Sequence, residues 1–285
     1  MPELPEVETI ARAIRPILIG RRIDAVLLNR SSVLKNVPRG TFLEKPLSHQ
    51  IFLSQKLGGR HVADISRRAK RIVFTLDDGN RFYIHLGMSG RLTLEPTGVQ
   101  VKRHTHFVAT FGQDELRFTD PRRFGGIFWV GETGQVDEGL GPEPLTMPAA
   151  ELARRLAKTS RAIKNALLDQ SLIAGLGNIY VDESLHEANI HPLTPANKLS
   201  RVQVSSLIRS IKRVLSRALE HRGSTLRDYR DARGEPGNFQ NLHQVYQRSG
   251  KPCLKCKTVI ERIVVGGRST HFCPSCQAKR DVSAK

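Results

Sequence analysis

The sequence predicts an α+β chain of several domains. An N-terminal antiparallel β-sandwich, flanked by an N-terminal helix, precedes a C-terminal helical domain that closes with a cysteine-bearing β-hairpin. Three observations predict this. Short apolar runs punctuated by turn residues fill positions 23–130, helical periodicity dominates from about 151 to 222, and all four cysteines fall within the last 33 residues. Between the first two regions, 132–144 is acidic and rich in Gly and Pro, which suits a linker. The expected division is therefore a sandwich domain over 1–131, the linker 132–144, a helical domain over 145–244, a metal-bound hairpin over 245–277 and a tail over 278–285.

The elements follow in order. Val7, Ile10, Ala11, Ile14 and Ile17 recur at helical spacing across 6–18, with Glu8, Arg12 and Arg15 opposite, and Pro16 is expected to end or bend that helix. Strands are predicted at 23–28, at 71–76 and 81–86 around the turn Asp77-Asp78-Gly79-Asn80, at 106–111 and 115–119 around Gly112-Gln113-Asp114, and at 126–130. Helices are predicted at 151–158, 161–169, 179–188 and 201–222; the last opens on Ser200 and Gln203, a capping box. Periodicity disappears over 223–244, a long loop.

Composition narrows the function classes. The 285 residues carry 45 Lys and Arg against 27 Asp and Glu, a formal charge of +18, which implies a polyanionic partner, most simply nucleic acid. A basic ribosomal or membrane-surface protein is the alternative. No apolar run approaches the roughly 20 residues that span a bilayer, and no signal peptide opens the chain, so a soluble, cytoplasmic protein is expected. A monomer without an obligate protein partner, associated with the nucleoid when bound to nucleic acid, is a separate expectation.

Five stretches carry chemistry. Removal of Met1 would leave Pro2 as a terminal secondary amine, whose proton is lost nearer neutrality than a lysine's; its attack on a sugar C1′ gives an iminium, charged without a further proton, with Glu3 beside it to move protons. Cys253-x2-Cys256 and Cys273-x2-Cys276 form two knuckles that converge on one Zn²⁺, structural because four thiolates leave no open position. Arg268, in the Gly266-Gly267-Arg268 turn between them, is either a solvated charge or a phosphate contact. Met88, bracketed by Gly87 and Gly90, and Arg122 and Phe124, in Asp120-Pro121-Arg122-Arg123-Phe124-Gly125, suit wedging between bases, although a methionine after a strand more often belongs to a core. Finally, Gly175-Leu176-Gly177-Asn178 opens a helix, where Asn178 could act as cap and phosphate donor together.

Together these motifs resemble the formamidopyrimidine-DNA glycosylase (MutM) family from residue 1 to about 277: the opening MPELPEVET, the Arg67-Arg68-Ala69-Lys70 run, the methionine and Arg-Phe loops, the 169–180 string and the terminal cysteines. The resemblance implies a bifunctional DNA glycosylase and abasic-site lyase that removes oxidised purines (8-oxoguanine opposite C, formamidopyrimidines) from double-stranded DNA and cleaves the strand by β,δ-elimination. It further implies a helix–two-turn–helix in the second domain and a lesion-capping loop at 223–240. Pro2 would be the nucleophile, Glu3 and Lys70 proton-transfer groups, and Arg268 the group for δ-elimination. Met88, Arg122 and Phe124 would fill the space of the flipped nucleotide, with His104 and Asn178 contacting DNA. Glu183 matches an acidic residue that supports the site. One departure stands out: the family's phosphate-binding lysine falls on Thr159, leaving Lys158 or Arg161 to substitute. An endonuclease VIII-like glycosylase for oxidised pyrimidines and a non-catalytic zinc-ribbon DNA-binding protein are the alternatives.

Overall fold

The computed structural model describes residues 2–36, 46–227 and 229–279. They form two compact units: residues up to Glu138 with Arg222–Asn238, and Gly139–His221 with the chain from Phe239 onward.

The first unit begins with α1 (Leu4–Leu18), whose Leu4, Val7, Ile10, Ala11, Ile14 and Leu18 are fully buried. Pro16 does not end this helix. Interior proline costs about 3 kcal/mol, whereas each buried aliphatic side chain returns roughly 1.5–3 kcal/mol, so burial of Leu18 together with the partly buried Ile17 offsets it. Two polar ties reinforce the packing: Arg15 Nε donates to the Ile65 carbonyl (2.6 Å), and Arg67 pairs with Glu8 (2.9 Å).

Two sheets enclose the core. One runs in the order β1 (Ala25–Leu28), β7 (Thr105–Phe111), β8 (Asp114–Thr119), β6 (Arg91–Pro96); the other runs β2 (Leu34–Lys35), β9 (Gly126–Gly131), β5 (Arg81–His85), β4 (Arg71–Leu76), β3 (Val62–Arg68). All pairings are antiparallel except the two-residue β2–β9 pair. Val26, Phe107 and Phe118 from the first sheet and Ile65, Phe74 and Ile84 from the second belong to a single apolar cluster, as a sandwich requires. Four elements, the two-residue β2 together with β3, β6 and α2 (Pro46–Leu57), lie outside the predicted set. Strand β3 ends in the Ser-Arg-Arg that reads as a solvated basic run, and α2 mixes polar residues into its apolar face. Gln50 of α2 explains one of those polar positions. Its side-chain amide accepts from Leu28 N (2.5 Å) and donates to Val26 O (2.6 Å), so it covers the open edge of β1 as a neighbouring strand would.

The loop expected in the helical domain returns to the sandwich unit. Tyr229 and Ala232 join its core, Leu94 N donates to Ala232 O (2.9 Å), and Ser224 N donates to Glu6 Oε1 (2.7 Å). Two buried side chains outweigh sequence adjacency.

The second unit contains α3 (Ala149–Leu156), α4 (Ile163–Leu168), α5 (Asn178–Glu187), α6 (Arg201–Glu220) and the hairpin β10 (Glu261–Val265) and β11 (Arg268–Phe272). The Ser200–Gln203 box forms at the start of α6, with Gln203 N donating to Ser200 Oγ (3.2 Å) and Ser200 N to Gln203 Oε1 (2.9 Å). Val204, Leu207, Ile208, Ile211 and Leu215 are buried along one side. The hairpin turn is Gly266–Gly267 alone, both left-handed (φ +56° and +73°), as a two-residue I′ turn demands. Arg268 is therefore not the tip but the first residue of β11, paired with Val265 and exposed. Residues 280–285 of the expected tail lie outside the described residues. Among the described residues no helix is long and apolar enough to cross a membrane.

Candidate active site and nucleic-acid interface

The N-terminal segment is held from its first described residues. Pro2 is buried and Glu3 is 2 % exposed. Glu3 is the N-cap of α1, in a capping box with Glu6: the Glu3 side chain accepts from Glu6 N, and Glu3 N donates to Glu6 Oε2 (2.8 Å). Glu6 was not singled out in the sequence, yet it connects two parts of the site. Its other oxygen accepts from Ser224 N, and Gly223 lies so close that a Cβ there would meet Glu6 Oε1 at 2.6 Å. An acidic residue three positions after the cap was the legible signal.

Lys70 is 7 % exposed, in the two-residue turn between β3 and β4. Ala69 before it takes φ +51°, a left-handed conformation that costs an alanine about 1 kcal/mol, and Arg67 Nη1 holds its carbonyl (3.0 Å). His85 stands opposite Arg71 in the sheet. Burial, then the charges of Lys70 and Arg71, push the His85 imidazole down to about 4. It is therefore neutral near pH 7, and its Nδ1 accepts from Gly87 N (3.2 Å), the start of the methionine loop.

A second residue that sequence reading passed over, Asp120, joins the two wedge loops. Fully buried, it accepts from Ser89 Oγ (2.6 Å), Arg122 N (3.3 Å) and Gly125 N (2.8 Å). Gly87 must be glycine: φ is +61°, and a Cβ would meet Gly125 N at 2.5 Å. The backbone contact leaves Phe124 58 % and Met88 36 % exposed, and the Arg122 guanidinium lies over the Phe124 ring, 5.0 Å from its centroid. The same hub reaches His104, exposed at φ +67°, whose carbonyl accepts from Asp120 N (3.0 Å); His106 Nε2 donates to Asp120 O (2.9 Å). Met88, His104, Arg122 and Phe124 thus belong to one assembly.

In the second unit, Asn178 does not cap α5. Gly177 is the N-cap, and the Asn178 amide donates to Ser269 O (2.8 Å) in β11, which brings Asn178 beside Arg268. Glu183 is buried and accepts backbone N–H groups from Gln244, Val245 and Tyr246 (2.8–3.0 Å); burial raises its proton affinity. Its role is to fix the chain entering the cysteine hairpin. Lys158 and Thr159, with Arg154, Arg155 and Arg161, line a cleft of about 310 Å³. Arg161 donates from Nε to Thr159 Oγ1 (3.0 Å) and pairs with Asp169 (2.8 Å), so the Thr159 hydroxyl orients a cation.

The Sγ atoms of Cys253, Cys256, Cys273 and Cys276 all lie within 4.8 Å of one another. Cys253–Cys276 are 3.9 Å apart and Cys256–Cys273 3.4 Å. Four sulfurs at about 2.3 Å from a tetrahedral zinc ion stand about 3.8 Å apart, so the donor set fits Zn²⁺.

Comparison with known proteins agrees with this geometry. Residues 1–127 match the family model of the formamidopyrimidine-DNA glycosylase N-terminal domain, 140–230 that of its H2TH domain, and 250–279 that of the zinc finger found in FPG and IleRS. The chain is 41 % identical to the formamidopyrimidine-DNA glycosylase of Solibacter usitatus, covering 98 % of this chain and all of that one, and 41 % identical to that of Bacillus subtilis at the same coverage. Among solved structures, a point mutant of Lactococcus lactis FPG in complex with Fapy-dG-containing DNA superposes with TM-score 0.87 at 35 % identity, covering 98 % of this chain and 100 % of that one. The L. lactis Fpg complex with abasic-site DNA gives the same score and identity over 97 % of this chain and 100 % of that one.

Proposed function

The chain belongs to the formamidopyrimidine-DNA glycosylase family, a DNA-repair glycosylase with a zinc finger, and on that premise we propose that it excises 8-oxoguanine opposite cytosine and formamidopyrimidines and then cleaves the abasic strand. The observation that carries the proposal is the anchored N-terminus: Pro2 is buried at the start of a helix capped by its neighbour Glu3. A frayed end could not hold a nucleophile in line; a held one supplies the proximity that makes attack effectively intramolecular.

The steps follow from the groups present. Freed of Met1, the Pro2 nitrogen attacks C1′; the base leaves with the electrons of the glycosidic bond and takes up, in net terms, the proton that the amine nitrogen loses. Glu3 protonates the ring oxygen as the C1′–O4′ bond opens, giving the iminium. Lys70 takes a proton from C2′, the electrons flow toward the iminium, and the C3′–O bond breaks. Loss of a C4′ proton and rupture of the C5′–O bond, with Arg268 at the leaving phosphate, complete δ-elimination. Hydrolysis of the imine frees the enzyme. Met88, Arg122 and Phe124 wedge the duplex, with His104 and Asn178 on the backbone; extrusion of the nucleotide costs a few kcal/mol, less for a damaged pair. Arg161, oriented by Thr159 and flanked by Lys158, stands in for the family's phosphate-binding lysine. The 223–240 loop covers the flipped base, tethered through Glu6. The zinc ion, held by Cys253, Cys256, Cys273 and Cys276, supplies folding of the hairpin and no chemistry.

Borohydride reduction tests this: it converts the iminium to a stable amine, so enzyme and lesion duplex should cross-link, and Pro2→Gly should abolish the cross-link while leaving binding largely intact. Normal trapping by protein that retains Met1 would exclude Pro2 as nucleophile. A panel of 8-oxoguanine and thymine glycol duplexes reads the lesion class.

A further inference from the structure

Helix α5 presents a polar stripe to the zinc-bearing segment, half-buried at Asn178 and buried at Asp182 and His186. Asn178, Asp182 and His186 stand four residues apart and share one helix face. Asn178 Nδ2 donates to Ser269 O (2.8 Å), Asp182 Oδ2 accepts from His271 N (2.9 Å), and His186 Nε2 lies 3.7 Å from Cys253 Sγ. Lys164, from α4, completes the arrangement. Its Nζ lies 2.6 Å from Asp182 Oδ1 and 3.0 Å from Ser269 O, and both charged side chains are fully buried. The hairpin turn also closes on α4: a Cβ at Gly266 would collide with Asn165 Oδ1.

A buried ion pair is weak evidence for stability, because an apolar pair of similar volume often does as well; its best-attested use is to fix a register. The geometry here has that character. Ser269 and His271 are two residues apart on β11, so their backbone groups lie on the same strand edge, and Lys164 and Asp182 engage both. Sliding β11 along α5 would leave both charges buried without their backbone partners, which is costly. Only one position of the hairpin satisfies the pair, and Arg268 precedes the held Ser269 carbonyl by one residue.

We propose that Lys164 and Asp182 are positioning residues for Arg268: their ion pair fixes, through Ser269 O and His271 N, the placement of β11 that aims the Arg268 guanidinium at the δ-elimination step. The proposal rests on the role given to Arg268 above, and the experiment separates the two. Lys164→Met/Asp182→Asn removes the cation and the anion together while keeping an acceptor for His271 N. On an abasic-site duplex, the variant should form the borohydride cross-link as the parent does and retain one zinc per chain by atomic absorption. Its ratio of δ- to β-elimination product should fall on the order of 10- to 100-fold, as for an ångström-scale misplacement. A ratio equal to the parent's overturns the proposal. Arg268→Gln is run alongside: a normal ratio there removes the role of Arg268 itself and the proposal with it. Should the double variant fail to fold, Asp182→Asn alone is read in the same assay, and again an unchanged ratio overturns it. Lost stability without misplacement would lower both products together and leave the ratio unmoved.

Discussion

At the residue scale, the wedge depends on a side chain that touches no DNA in the proposed scheme. Asp120 holds Ser89, Arg122 and Gly125 at once from a fully buried position. Asp120→Ala would leave buried donors unsatisfied, so it should cost roughly 3 kcal/mol in urea denaturation. It should also lower lesion excision further than it lowers binding to undamaged DNA, because the loops lose their shared shape while the basic surface remains. Parent-like excision in a folded Asp120→Ala protein would show that the loops hold themselves. Neither this aspartate nor Glu6 was legible as a hub from the sequence. A carboxylate bonding backbone amides far along the chain leaves no periodic mark. The wedge roles proposed for Met88, Arg122 and Phe124 rest mainly on their family motifs, because an exposed side chain in a loop has no spacing rule of its own.

At the element scale, α1 and the hairpin β10–β11 each need an agent besides their own propensity. For α1 the agent is the Glu3–Glu6 box, which also ties the 222–238 segment through Ser224. Glu6→Ala should cost about 1–2 kcal/mol, the value of a lost cap with an orphaned donor, and should speed proteolytic cleavage within 222–238 more than elsewhere. Equal cleavage rates in parent and variant would remove the tether. For the hairpin the agent is metal. A two-stranded hairpin is marginal alone in water, so chelation of zinc should abolish strand incision and weaken DNA binding while far-UV dichroism keeps most of its helical signal. These elements were readable in part. The cysteine spacing, the α6 box and the two hairpin turns of the sandwich stood in the sequence as local patterns. Strands β3 and β6 did not: β3 carries charged and polar residues in a run whose apolar positions are buried against α1, and the partners of β6 in β8 lie at least 18 residues away.

At the scale of the whole molecule, charge and proton balance set the behaviour in solution. With a formal charge of +18, binding to DNA should fall linearly in log–log plots against salt, by about 10³–10⁵ between 50 and 200 mM if six to ten phosphates are neutralised. Stability should respond to acid through two histidines. Burial above all pushes His85 and His243 down to about 4 from the usual 6.5. Below pH 6.5 the unfolded chain takes up protons that the folded chain refuses, so stability present above pH 6.5 is lost progressively toward pH 4, by up to roughly 3 kcal/mol per residue. Thermal melts across that range should show the decline, and His85→Gln should flatten it; an unaltered slope would mean that His85 titrates alike in both states.

By itself, the sequence determined the family of this chain and the groups on which the proposed chemistry rests: the Pro2-Glu3 opening, the lysine of the Arg-Arg-Ala-Lys run, four cysteines at zinc spacing and a net positive charge. Each is a local arrangement of residue types, and local arrangements survive in a string of letters. Only the tertiary structure decided what holds those groups in place. The return of 222–238 to the sandwich unit, the Asp120–Ser89 bond, the amide of Gln50 on a strand edge and the Lys164–Asp182 pair all join residues 18 to more than 200 positions apart. Buried polar partners are chosen by distance in space, where leaving a donor or a charge unpaired costs more than any local propensity returns.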